Sequence, residues 1–518
     1  MVKYLFRITE YMSREPDGWA RGWLEKMRSE GRKGLAVEKK GNSHYVYWAS
    51  TEWDKEAKKR RKLTEYIGIL EPPGNLIISR DLDVGRMNPK AIEAAGIDAE
   101  LYRERPEEVM DYRIKGAMMV LRKACESFYP ALRECFPQTC DDLLVLAMAR
   151  LAGRGRLCQA GSWFARQDNV MRLKPHADPD TLSASLKLAG GAIDAQDRFY
   201  EKLSTRGKKL AVDMTVCFSK GQAFFVKKGY NRFHLSCGQF NIAIICGLDD
   251  KLPQALRTVF GNIKESCITD VLEEMDIGND CILVMDRGYF SADLMDLLHG
   301  SGYKFVIPVR RNSELYNAVK IVEPRGFRFR GNSVLYGIGE GFGYNAYRFE
   351  NQSQRNSELA ELMFEHDGDG DDRSPAFVDS GQYALDGDPS KAGNLILVTN
   401  LNEDPKTIYA MFKMRCSVEE CNDSAKTVLK ADRTYLRDNL SIMGFNFVTF
   451  LALRMYMTME LWIAEKEMTS RYTPLDLLDE YSSMVSITTE SRVMSQQVPA
   501  NVRRVEKDIG LGLFPIGG

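Results

Sequence analysis

The chain has 518 residues, of which 44% are hydrophobic and 28% charged, as in soluble globular proteins of about two to four domains. Eleven scattered cysteines without a CxxC pair, and only five histidines, argue against a disulfide framework and a zinc site. The net charge of −1 conceals a basic stretch, 201–235, with eight Lys or Arg against two acids, and an acidic stretch, 365–388, with eight acids against one arginine. A neutral total therefore does not exclude a nucleic-acid partner.

The sequence carries no expected membrane or export signal. No run of 18 apolar residues occurs, and charges interrupt the first apolar stretch, MVKYLFRITEY. Together with cysteines that we interpret as reduced thiols, these features predict a cytoplasmic protein without a membrane partner.

The first 200 residues divide into two predicted regions. Residues 1–80 contain short alternating segments such as SHYVYWAS, which predict a small β-rich module. Its basic run KKRRK, 58–62, is either a DNA contact or solvated surface. Residues 81–200 place apolar residues at three- and four-residue spacing, as in CDDLLVLAMARLAG, and this spacing predicts a helical region.

The following residues predict a mixed α/β core. Strand patterns occur in KLAVDMTVCF, QAFFVKKG, FNIAIICGL, KFVIPV and NLILVTN, with helical segments between them. Residues 201–320 and 391–460 form this core, and the Gly-rich, polar and aromatic residues 321–390 predict a β-rich insertion within it. A long helical stretch is predicted from about Pro405 to Lys430, with more helix to about residue 467, and residues 461–518 predict a helical C-terminal tail.

Two acids stand out on the predicted strands of this core. Asp213 lies within LAVDMTVCF, and Asp286 directly follows the apolar residues ILVM, where a lone carboxylate is costly to bury. The two positions can be neighbours in a mixed sheet. Because adjacent carboxylates take up protons unless a cation neutralises them, and because Mg²⁺ prefers oxygen ligands, the pattern predicts a magnesium site.

The segment FKMRCSVEECNDSAK offers a third carboxylate. On a helix, Arg415, Glu419, Asn422 and Lys426 fall on one face, at spacings of four, three and four residues. This stripe suits a metal-binding carboxylate flanked by cations that hold phosphates. It also suits an exposed helix whose ion pairs lie within the helix itself.

Taken in order, these residues resemble the acidic triad of the DDE transposases encoded by bacterial and archaeal insertion sequences. Asp213 in DMT, Asp286 in DRGYF and Glu419 correspond to the triad. Arg415 and Lys426 match the spacing of the group signature Tyr-x2-Arg-x3-Glu-x6-Lys, and the segments GYNRFHLSCGQF and FGNIKES are also similar to family segments. The resemblance covers residues 200–460.

The resemblance implies a ribonuclease H-like, retroviral-integrase-like core with a β-rich insertion before the glutamate. It implies that Asp213, Asp286 and Glu419 are catalytic and bind Mg²⁺, as two ions about 4 Å apart, with Mn²⁺ able to substitute. Asp213 would bridge the two ions, and the other two acids would each hold one. The cations expected to contact DNA phosphates are Arg287, Arg415 and Lys426.

The implied function is a transposase that cleaves DNA as a Mg²⁺-dependent endonuclease and performs strand transfer at the terminal inverted repeats of its insertion sequence. Its partners would be double-stranded transposon ends and target DNA, bound by a homodimer in the nucleoid, with residues 81–200 in DNA binding or dimerisation. The sequence departs from the family at Phe412, where the signature has Tyr, and at Glu265, where Asp is common. Tyr409, one helical turn earlier, is a candidate substitute for the missing hydroxyl. Two alternatives stay open: an inactive DNA-binding relative, and another metal-dependent nuclease of the same fold, such as a junction resolvase.

Overall fold

The structure is a computed structural model. It describes residues 15–54, 59–79, 82, 84, 86–98, 109–203, 209–229, 237–261, 268–275, 277–321, 325–366, 389–431, 433–434, 436–489 and 492–514. The described residues cluster into two compact units, one within residues 1–110 and 488–492 and the other within residues 111–487 and 493–518. Glu265 and most of the acidic stretch, from residue 367 to 388, lie outside the described residues.

The N-terminal unit is built on a four-stranded antiparallel sheet whose strands follow chain order. Its elements are α1 Gly18–Ser29, β1 Leu35–Lys40, β2 Ser43–Asp54, β3 Lys59–Glu71, β4 Asn75–Ile78 and α2 Pro89–Ala95. Alternating side chains of β1 and β2 are buried with Trp23 of α1, and they form a separate small core. The described part of the basic run, residues 59–62, lies on β3 and is exposed.

The second unit begins with helices and then forms the main sheet. Its first elements are β5 Val109–Ile114, α3 Gly116–Cys125, α4 Tyr129–Cys135, α5 Cys140–Leu151, α6 Leu157–Phe164, α7 Pro179–Gly191 and α8 Ile193–Leu203. Every residue of α5 from 142 to 151 is buried, because the helix has apolar side chains on nearly all sides and packs within the core.

The main sheet has eleven strands among the described residues, and its centre follows the order β9-β8-β6-β10-β11. These central strands are β6 Lys209–Ser219, β8 Gly238–Gly247, β9 Pro253–Phe260, β10 Ile282–Val284 and β11 Lys304–Pro308, with α9 Ile268–Glu274 and α10 Ala292–Gly300 between the later strands. β6 runs antiparallel to β8 and parallel to β10, and β10 runs parallel to β11. The two-residue strand β7, Lys227–Lys228, lies at the edge beside β8.

The predicted insertion extends the same sheet. Beyond the short helix α11, Leu315–Ala318, come β12 Arg325–Phe329, β13 Asn332–Gly341, β14 Tyr344–Asn351, α12 Gln352–His366 and β15 Asn394–Thr399. β14 pairs with β15, and β15 pairs antiparallel with β11, so the three strands continue the sheet edge instead of forming a separate layer.

The helical stretch predicted from about Pro405 to Lys430 is helical in the structure, and it is divided into two helices. The chain forms two helices, α13 Pro405–Met414 and α14 Cys416–Thr427, which meet at Arg415. The physical reason is a tightened turn: the Arg415 amide donates to the Phe412 carbonyl, and the Val418 amide donates to the Arg415 carbonyl, both three residues back.

The long helix α15, Asn439–Glu465, packs against α5, α7 and β9. Its length and mean hydropathy of 1.4 would suit a membrane span, but 83% of that window is buried inside the structure, as in the core helix of a globular protein. A Cβ on Gly444 would lie 1.9 Å from the carbonyl oxygen of Leu186, so glycine permits the close crossing of α15 and α7. The remaining elements are β16 Arg433–Thr434, α16 Pro474–Ser482, β17 Val485–Thr489, β18 Val493–Ser495 and α17 Ala500–Ile509.

Candidate active site

The register of the main sheet brings the two strand acids side by side. β10 pairs with β6 through Ile282 opposite Lys209 and Val284 opposite Ala211. Continuing this register by two residues sets Asp286, which directly follows β10, beside Asp213 in the middle of β6. Both carboxylates therefore lie at the sheet edge where the parallel strands β10 and β11 end.

Asp213 is held by two hydrogen bonds. Its own Oδ1 accepts the Met214 amide at 2.9 Å, and its Oδ2 accepts the Asn422 side-chain amide at 2.5 Å. Burial, followed by the negative charge of Asp286, raises the pKa of Asp213 to about 7, although nearby cations and the Met214 amide oppose the rise. The two acids thus carry more negative charge than the surrounding protein neutralises.

Arg415 connects the other acids. One guanidinium nitrogen, Nη2, lies 2.6 Å from a carboxylate oxygen of Glu419 and 3.7 Å from one of Asp286. The Arg415 side chain is only 7% exposed, whereas the two carboxylates are 41% exposed for Asp286 and 38% for Glu419. The carboxylates therefore open to solvent while the guanidinium lies behind them.

The donor set fits a hard divalent cation, although the carboxylates are arranged around Arg415. Within the described ranges, no three His, Cys, Asp or Glu side chains converge closely enough to hold a metal ion. Asp213 and Asp286 are adjacent, but Glu419 is turned towards the guanidinium. Oxygen ligands on two partly solvated carboxylates suit Mg²⁺, and the raised pKa of Asp213 reflects charge that such an ion would neutralise.

The predicted DNA-contacting cations occupy different surroundings. Burial and the charge of Asp286 raise the pKa of Asp213, and the charge of Lys426 is among the smaller effects that lower it. The Nε atom of Arg287 is buried. Burial raises the pKa of the Tyr316 hydroxyl, and the charges of neighbouring arginines, Arg287 among them, lower it. The exposed Arg310 instead donates to the carbonyl oxygens of Arg287 and Gly288, at 3.4 and 2.8 Å.

Tyr409 does not take the place of the missing signature hydroxyl. It is 1% exposed, it packs among the aromatic rings of β12 and β14, and its hydroxyl accepts a bond from Asn351 at 3.3 Å. Phe412 is the residue beside the site, since the Arg415 guanidinium carbon lies 5.6 Å from its ring centroid. The ring supports the back of the guanidinium by a cation–π contact.

Sequence reasoning missed the roles of two residues that the geometry brings to the site. Asn422 had been placed on the face of Glu419 without a partner, and it is the hydrogen-bond donor to Asp213. Arg310 follows β11, and the signal for it was available, because the carboxyl ends of parallel strands meet at one sheet edge and Asp286 follows the neighbouring strand.

The fold and the site together define a mixed α/β protein with an acidic site at a sheet edge. Residues 205–455, just under half of the chain, match the family model of the transposase DDE domain. The match spans the acids Asp213, Asp286 and Glu419 and supports a DDE transposase, a class of enzyme that cleaves nucleic acid.

Among solved structures, the chain is similar to the cryo-EM structure of the piggyBac transposase synaptic complex with hairpin DNA. The TM-score is 0.38 at 11% identity, over 73% of this chain and 80% of that one, and a similarity this remote does not bear on the site. No curated protein matches the chain.

Proposed function

We propose that the chain is the transposase of a bacterial or archaeal insertion sequence, which cleaves DNA at the terminal inverted repeats and joins the ends to a target. The observation that carries this proposal is the pairing of Asp213 with Asp286 across β6 and β10, with Glu419 linked to them through Arg415. The proposal gains support from the family match over the same residues.

The strand order supports a ribonuclease H-like core. The central strand β6 carries the first acid. On one side β8 runs antiparallel to β6 and β9 antiparallel to β8, and on the other side β10 and β11 run parallel to β6. The second acid follows the neighbouring parallel strand, and the glutamate is on a helix packed against β6 and β8. The β-rich insertion lies between them in the chain.

Asp213, Asp286 and Glu419 would hold the divalent cations, two Mg²⁺ ions or Mn²⁺ in their place. Bound Mg²⁺ would activate water or a DNA 3′-hydroxyl and stabilise the leaving oxygen of an in-line phosphoryl transfer. Asn422 orients the Asp213 carboxylate through its 2.5 Å hydrogen bond, and the Phe412 ring lies 5.6 Å from the guanidinium carbon of Arg415. Arg415 would bind a phosphate next to the acids after it releases Glu419, since a guanidinium can make two parallel bonds to one phosphate.

DNA recognition would be divided between regions. Arg415, Lys426 and Arg287, together with the exposed Arg310, would contact phosphates and fix position without reading sequence. Residues 81–200 would supply DNA binding or dimerisation, and the protein would act as a homodimer on double-stranded ends in the cytoplasm. The fragment 1–200 should then prefer its own ends to random DNA, and equal affinity for both would contradict this assignment.

The inactive DNA-binding relative and another metal-dependent nuclease remain as alternatives. The first is disfavoured because Asp213 and Asp286 are adjacent and Glu419 shares Arg415 with Asp286, and the second because the spacing of Arg415, Glu419 and Lys426 matches the transposase signature. Terminal inverted repeats in the DNA that flanks the gene would favour the transposase over both.

The decisive experiment incubates the protein with a labelled inverted-repeat end and Mg²⁺, and measures both cleavage and strand joining. Asp213→Asn, Asp286→Asn and Glu419→Gln should each abolish both reactions while end binding persists, because each removes a charge but little volume. Activity in excess chelator would contradict the metal mechanism. Cleavage without joining would favour the nuclease, and binding without cleavage the inactive relative.

A further inference from the structure

Arg150 links the helical region to the end of helix α14. Its side chain is 6% exposed, its Nη2 donates to the Leu429 carbonyl at 2.7 Å, and its guanidinium carbon lies 3.9 Å above the Phe445 ring. The end of α5 and the chain just beyond the glutamate helix are therefore fixed to each other within the same compact unit.

The loop that follows α5 presents two arginines at this junction. The chain turns at Gly153, with φ of 74°, and Arg154 and Arg156 line one small hollow of about 20 Å³ together with Arg150 and Phe445. Both arginines are exposed, and none of the acids in the described part of the chain forms an ion pair with them. Two cations without acidic partners thus lie at the end of α14.

Lys430 is a third exposed cation just beyond the end of α14. It is exposed, directly follows Leu429, and adopts the left-handed conformation with φ of 52°. From Glu419 to the end of α14 at Thr427 the helix rises about 12 Å, at 1.5 Å per residue. Cations therefore extend from the acids, through Lys426, to Lys430 and the loop.

We propose that Arg154, Arg156 and Lys430 form an outer phosphate-binding surface for duplex DNA that passes over the acidic site, an inference that rests on the proposed function. The duplex presents one negative charge per about 1.7 Å of its axis, so a segment as long as the ~12 Å from Glu419 to the end of α14 carries about seven charges. The contacts are to phosphates, and transposon ends and target DNA therefore present the same chemistry to it.

The test measures the salt dependence of binding to a long duplex in chelator. Arg154→Gln/Arg156→Gln should lower the slope of log affinity against log salt by about 1.8, and Lys430→Gln by about 0.9. The matched control is Arg503→Gln/Lys507→Gln, which removes the same charge from exposed positions on α17 and should leave the slope unchanged. Thermal melting of each variant verifies that it folds.

The binding measurement is made with two duplexes, to distinguish phosphate contacts from contacts that read the base sequence. An end-containing duplex and a random duplex of equal length should lose affinity equally, and a loss confined to the end would overturn the phosphate assignment because it would reveal base reading. A wild-type slope in the double variant, while the wild type binds and cleaves ends, would overturn this inference alone. A wild-type protein that binds no duplex would overturn the proposed function with it.

Discussion

Replacing Asp213 by asparagine should stabilise the metal-free protein at alkaline pH while abolishing cleavage. In the folded protein the pKa of Asp213 is raised from its ordinary value of 3.8 to about 7, first by burial and then by Asp286. An acid with a raised pKa contributes its full stability below 3.8 and loses it as the pH rises through 7. At pH 8 the ionised carboxylate therefore destabilises the fold, and a neutral amide of the same shape removes that penalty.

The magnitude follows from the two pKa values of Asp213. One pKa unit corresponds to about 1.4 kcal/mol, so the difference between 3.8 and about 7 sets an upper bound of about 4 kcal/mol. Solvent reaches part of this half-buried pair and screens it, so we expect ~2 kcal/mol. For a protein of this size, that gain corresponds to a rise in melting temperature of about 2–4 °C.

The assay compares the melting temperatures of wild type and Asp213→Asn in chelator from pH 5 to pH 8. The difference should be small at pH 5, should grow as the pH rises towards 7 because only the unfolded chain is ionised in this range, and should stay constant above pH 7. Mg²⁺ at pH 8 should raise the melting temperature of the wild type more than that of the variant. Asp270→Asn, at an exposed position on α9, is the control for a charge change without a pH-dependent gain.

Two outcomes would refute this reasoning. A variant that melts below the wild type at pH 8 would show that the Asp213 carboxylate is already neutralised by the surrounding protein. A difference that does not vary between pH 5 and pH 8 would show that the substitution acts through packing and not through charge.

Three further predictions concern other parts of the second unit. Gly444→Ala should destabilise the fold by about 3 kcal/mol in thermal melting, because its Cβ would lie 1.9 Å from the Leu186 carbonyl oxygen, whereas Gly22→Ala, with nothing within 4 Å, should not. Glu460→Gln should raise the melting temperature at pH 8 but not at pH 4, since burial and a neighbouring glutamate raise the pKa of Glu460. Lys426→Ala should lower the salt slope of DNA binding by about 0.9 without altering sequence preference.

The strands that carry the site were predictable because their signals are local. β6, β8, β11 and β15 are apolar runs of β-branched residues, and an acid within or directly after such a run is conspicuous in the sequence. The helical face of Glu419 was equally visible from the spacing of its neighbours. The residue-by-residue pairing of β10 with β6 was not predictable from the sequence. These two strands are separated in the chain by β8 and β9, so no local pattern determines how they pair.

Three features escaped prediction for physical reasons. β9, Pro253–Phe260, begins with proline and carries glutamine and arginine, so its burial depends on tertiary packing and not on a local pattern. The segment QAFFVKKG has a strand composition, yet only Lys227–Lys228 pair, since this segment lies at the sheet edge. No glycine or proline marks the break at Arg415 in the sequence. At this break the Arg415 guanidinium contacts the carboxylates of Glu419 and Asp286.

The departure at Phe412 is better explained by packing than by loss of activity. The Phe412 side chain is buried, with the residue 4% exposed, and its ring lies behind a guanidinium that is itself 7% exposed. A hydroxyl added to a buried ring needs a hydrogen-bond partner, and without one it costs about 1–3 kcal/mol. Phenylalanine at this position therefore keeps the ring that supports Arg415 and avoids an additional buried polar group. Arg415 lies within 4 Å of two partly exposed acids without the signature tyrosine, so the missing hydroxyl does not by itself argue against the proposed catalysis.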